Sequence, residues 1–101
     1  MIEELLYKML DNMRDSIVKM NDSNVDLETI KLNVKNEWDY FIPYGGVHDM
    51  GLSLINSAAS AAELEYEIDC LYAFVMSNVK SKDVKQSVID YRKRQLKKDF
   101  K

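Results

Sequence analysis

Apolar residues near the start of the chain recur at Ile2, Leu5, Leu6, Met9, Leu10, Met13, Ile17 and Met20. These three- and four-residue steps gather side chains into one stripe of an α-helix. Glu3 and Glu4 stand where a helix N-terminus favours anions and Lys19 where its C-terminus favours cations. Asn21-Asp22-Ser23-Asn24 ends this segment. Ser23 and Asp26 have the spacing of a capping box, with Asn24 or Asp26 as alternative caps, so a second helix starts near residue 25. Its seam is Leu27, Ile30, Val34, Trp38 and Phe41, and Pro43 pushes Ile42 out of helical geometry, closing it near residue 41.

Pro43-Tyr44-Gly45-Gly46 is the strongest turn signal in the chain. Beyond it, Met50, Leu54, Ser57, Ala61, Leu64, Ile68, Leu71 and Val75 alternate four and three residues apart, a heptad-like seam. One helix across 47–79 would be roughly 45 Å long, more than a globule of this size covers. It either breaks near Asn56 to Ser60, where Ser60 and Glu63 form another capping box, or runs on with a second chain over the excess. The alanines at 58, 59, 61 and 62 favour continuity. On that reading Met50, Leu54, Ala61, Leu64, Ile68, Leu71 and Val75 are the candidate contacts of a homodimer.

A last helix follows from Ser81, its apolar set of Val84, Val88 and Tyr91 fading into Arg92-Lys93-Arg94-Gln95-Leu96-Lys97-Lys98, so the turns over about 92–101 are expected to fray. No segment alternates with a period of two. The expected fold is all-α: a single domain over 1–101, a small bundle of three to four helices with one long central helix.

Composition adds limits. The chain has 101 residues, 47% of them hydrophobic and 31% charged, enough for one core and no second domain. One cysteine, Cys70, and one histidine, His48, exclude a disulfide framework and a single-chain Cys/His zinc site, and fit a reducing, cytoplasmic setting. The longest apolar run is Cys70 to Met76, so neither a secretory leader nor a membrane span is expected.

Charge is unevenly spread. Residues 1–90 hold 8 of the 14 basic and 16 of the 17 acidic side chains, a balance of −8, whereas residues 91–101 carry +5. No Lys or Arg stands between Lys35 and Lys80, yet Glu37, Asp39, Asp49, Glu63, Glu65, Glu67 and Asp69 do. Like charges four residues apart on a helix cost stability. A solvated face explains such a run, or the basic tail folding back on it; the sharper explanation is a surface complementary to a basic partner.

Candidate chemistry is sparse. Glu65 and Asp69 share a helix face, but no Glu-x-x-His motif accompanies them, and Gly45-Gly46 lacks the pattern of a phosphate loop. No nucleophile–base grouping is evident, so neither catalysis, nor a metal, nor a cofactor is expected. Trp38 and Phe41 read as core, leaving Tyr40 and Tyr44 as interface aromatics. The expectation is a non-enzymatic protein that blocks or regulates a partner, in the manner of an immunity protein, antitoxin or phage inhibitor. Its contact residues would be Glu37, Asp39, Tyr40, Tyr44, Glu63, Glu65, Glu67 and Asp69. One alternative is an oligomeric assembly subunit. Another is nucleic-acid or acidic-partner contact through Arg92, Lys93, Arg94, Lys97 and Lys98, which a sequence pI near 5.1 argues against.

Overall fold

A computed structural model describes residues 2–99, with side chains from 3 to 97. The described residues form five helices and no strand: α1 (Ile2–Asp22), α2 (Leu27–Phe41), α3 (Gly45–Ser57), α4 (Ala61–Ser77) and α5 (Lys82–Asp99). The first four close into a ring, α1 against α2 and α4, and α3 against α2 and α4, while α5 lies across α2 and α3.

The periodicity of α1 and α2 translates directly into burial. Leu6, Leu10, Met13 and Ile17 of α1 meet Ile30, Val34, Trp38 and Phe41 of α2 in the core. Asp26 is the cap of α2, accepting from the Thr29 N–H at 3.1 Å and the Thr29 hydroxyl at 2.7 Å. At the other end the Ile42 N–H bonds the Trp38 carbonyl at 2.8 Å before Pro43 turns the chain.

The long central helix is not formed, and the bundle has five helices rather than three or four. The chain breaks at Ala58-Ala59-Ser60. Ser60 accepts the Glu63 N–H at 3.1 Å, and the Glu63 carboxylate reaches back to the Ala59 N–H at 2.7 Å. This reciprocal capping satisfies donors that alanine propensity alone would leave to a continuing helix. The principal extents of 35 × 33 × 20 Å show the second reason: a single helix over 47–79 would outrun the longest dimension of the body and leave its overhanging apolar side uncovered. Folding back changes the seam's phase. α3 buries Val47, Gly51, Ile55 and then Ala58, so Met50 is exposed and Leu54 only half-buried. In α4 the seam residues Leu64, Ile68, Leu71 and Val75 are wholly inside the chain's own core. Of the seven residues assigned to a homodimer seam, only Met50, Leu54 and Ala61 keep any surface.

α3 has no acid in its first turn and no base in its last, and its neighbours supply both. Lys31 and Lys35 of α2 donate to the Asn56 carbonyl and side chain, each at 3.1 Å, placing cations at the C-terminal end of the α3 dipole. Asp83 of α5 packs against Gly45 at the N-terminal end. Gly45 has φ +93°, and a β-carbon there would collide with the Asp83 carboxylate. α5 starts where expected, with Ser81 accepting the Val84 N–H at 3.3 Å. Its helix runs through Asp99, and residues 100 and 101 of the turns expected to fray lie outside the described residues.

Candidate functional site

The expected contact residues fall into two groups that the fold does not merge. At the α2–α3 corner, Asp39 Oδ1 lies 2.5 Å from His48 Nε2, Asp49 Oδ1 lies 3.4 Å from Nδ1, and the Trp38 indole N–H donates to the His48 carbonyl at 3.0 Å. Both ring nitrogens face carboxylates, so the imidazole ties two helix ends together and turns neither nitrogen toward a nucleophile. Glu37 is half-buried, accepting from Asn33 Nδ2 at 2.8 Å and from Ser16 of α1. Burial pushes its carboxyl above the usual range, and these two hydrogen bonds offset only part of the shift.

Tyr40 and Tyr44 are at the surface, 36% and 38% exposed, but each is engaged by α5. Arg94 stacks over the Tyr40 ring, 4.5 Å from its centroid, and its guanidinium donates to the Tyr40 carbonyl. Tyr91 meets the same ring edge-to-face at 5.7 Å. The Tyr44 hydroxyl donates to Asp90 at 3.4 Å, and desolvation, followed by the Asp90 charge, raises its phenol. These aromatics clamp α5 onto the bundle.

The acids of α4 divide between opposite flanks. At about 100° per residue, Glu63 and Glu67 lie together about 160° from Glu65 and Asp69. Glu63 is committed to the α4 cap. Asp69 pairs with Arg14 of α1, a counter-ion that the local charge count missed because it comes from another helix. Glu65 and Glu67 are half-buried.

Two adjoining clefts open where α4 meets α1. The deeper one, about 230 Å³, is lined by Tyr7, Leu10, Asp11, Arg14, Asp69 and Tyr72. The shallower one, about 680 Å³, shares Tyr7 and Tyr72 and adds Glu3, Glu4, Leu5, Lys8 and Arg92 to its walls. Tyr7 and Tyr72 pack edge-to-face at 5.8 Å, with Tyr7 57% exposed. None of Tyr7, Asp11 and Tyr72 was legible as a contact residue. Tyr7 and Asp11 belong to the polar flank of α1 and Tyr72 to α4, and only the pairing of α1 with α4 makes a surface of them.

Of the C-terminal cations, Arg94 is held by Tyr40, Arg92 borders the shallow cleft, and Lys93 and Lys97 are exposed. The Lys98 side chain lies outside the described residues. α5 packs on α2 and α3, so these cations do not cover the α4 acids. Cys70 is half-buried beside Tyr66, and the hydrogen bond between them raises the Tyr66 phenol. Among the described residues, no three His, Cys, Asp or Glu side chains converge as metal ligands, and no helix is long and apolar enough to cross a membrane. No protein-family model, curated protein or solved structure matches the chain.

Proposed function

We propose that this chain is a non-catalytic binding protein that seats a basic surface of a partner protein on its α1–α4 face, in the manner of an inhibitor, antitoxin or immunity protein. The observation that supports this most is the Tyr7–Tyr72 pair at the junction of two clefts whose walls carry Glu3, Glu4, Asp11 and Asp69, four acids to the three cations Lys8, Arg14 and Arg92. Glu65 extends the same flank by one helical step from Asp69. Tyrosine supplies contact area at little entropic cost and stacks on guanidinium groups, while surrounding acids speed encounter and select partners by sign. Of the contacts read from sequence, Glu65 and Asp69 belong to this face, Asp69 already paired with Arg14. Glu37, Asp39, Tyr40, Tyr44 and Glu63 are occupied within the fold, and Glu67 points to the other side of α4. A cytoplasmic site of action fits the single half-buried cysteine.

The test is cross-linking capture in the native cell, followed by titration of the purified partner. Wild type is expected to bind about tenfold more tightly than Glu65→Lys in about 0.1 M salt, the gap narrowing at about 0.5 M. Tyr7→Ala is expected to weaken binding at both salts. A partner that binds all three chains equally would overturn the assignment of this face.

A further inference from the structure

The outer side of α5 is sorted by charge. Lys82, Lys85, Arg92, Lys93 and Leu96 all fall within about 60° of Ile89 around the helix, and all six are exposed, Ile89 at 45% and Leu96 at 56%. The two acids of this stretch are about 100° or more to one side, where Asp83 packs on Gly45 and Asp90 accepts from Tyr44. An apolar ridge flanked by cations on both sides is left outward. Among the described residues, none of these cations lies within ion-pairing distance of a carboxylate.

This stripe borders the acidic face directly. In the shallow cleft Arg92 of α5 stands across from Glu3 and Glu4 of α1, beside Tyr7 and Tyr72. One continuous patch therefore has a basic, aliphatic half and an aromatic half that is acidic on balance, with Glu3, Glu4, Asp11 and Asp69 outnumbering Lys8 and Arg14. A two-fold axis through their boundary would lay each basic half on the acidic half of the other molecule, so that one patch complements itself. A nucleic acid fits less well, because its phosphates would meet Ile89 and Leu96 at the centre of the stripe and a net negative body behind it.

We infer that the chain forms a closed two-fold dimer in which the outer stripe of α5 lies on the α1–α4 face of a second copy, and the reverse. This dimer does not use the Leu64 to Val75 seam, and it does not depend on a heterologous partner, although such a partner would compete for the acidic half.

Sedimentation velocity over a range of concentrations tests it, with circular dichroism to verify that each variant is folded. Wild type is expected to sediment as two chains in about 0.05 M salt and as one in about 0.5 M. Lys85→Glu/Lys93→Glu and Glu4→Lys/Asp11→Lys are each expected to be monomers, since either change sets like charges against each other in both halves. Mixed together, they should form a heterodimer, because every facing pair is again opposite in sign. Lys19→Glu/Lys80→Glu, with the same net charge as Lys85→Glu/Lys93→Glu, should dimerise like wild type and should not pair with Lys85→Glu/Lys93→Glu. Three results would overturn the inference: a wild-type monomer in about 0.05 M salt even at millimolar concentration, a dimer untouched by either reversal, or a series that grows past two.

Discussion

Gly51 of α3 lies flat against the indole of Trp38: a β-carbon at this position would come 2.7 Å from Cζ2 and closer still to Nε1 and Cε2. Trp38 is wholly buried, with its N–H held by the His48 carbonyl, so the ring has nowhere to retreat. In an open helix Gly→Ala gains about 1 kcal/mol from propensity. Here overpacking outweighs that gain. Gly51→Ala is expected to destabilise by about 2 kcal/mol net, lowering Tm by roughly 10 °C. The fluorescence of the sole tryptophan should change with it. A variant as stable as wild type would mean that the two helices do not touch at this point.

The break between α3 and α4 rests on Ser60 and Glu63. Ser60→Ala is expected to cost about 1 kcal/mol in a denaturant titration. It should not add helical ellipticity or lengthen the molecule in small-angle scattering, because a fused helix would still outrun the 35 Å body. A gain in length would show that capping alone keeps the two helices apart.

Glu37 makes stability depend on pH with a definite sign. Its carboxyl is held above the usual range by burial, so the folded chain keeps the proton that the unfolded chain gives up first. Stability therefore falls as pH rises from about 4.3, the ordinary glutamate value, toward the raised folded value. Glu37→Gln removes this titration while keeping an acceptor for Asn33. Its Tm advantage over wild type should grow through that window and then level off; a constant difference would remove burial as the cause. Asp26 acts in the opposite sense: Thr29 holds its carboxyl below the usual range, so the stability it supplies is present at neutral pH and fades in acid.

Most of the fold was legible because helical periodicity reports burial and capping residues report ends. Ile30, Val34, Trp38 and Phe41 lie where their spacing put them, and Ser60 and Ser81 cap as their spacing implied. The continuous seam failed because a heptad pattern is equally compatible with two helices folded back on each other. Propensity at Ala58 to Ala62 says nothing about the length a small core can cover. The acidic belt was legible only as composition. Its run on α4 divides by helical phase, its Arg14 counter-ion comes from a helix about fifty residues away in sequence, and Tyr7 meets Tyr72 only through packing.

The Arg14–Asp69 pair separates stability from recognition. Both side chains are well exposed, 37% and 60%, and a surface pair of this kind contributes little to folding. On the proposed binding face, however, Arg14 is the cation that neutralises Asp69 at the mouth of the deeper cleft. Arg14→Gln should leave Tm within a degree or two of wild type while making the face one charge more negative. A basic partner should then associate faster, by about two- to threefold in about 0.05 M salt, with dissociation almost unchanged and the advantage gone near 0.5 M. Slower association in the variant would mean that the Arg14 guanidinium itself meets the partner, and that the docked surface is not basic there.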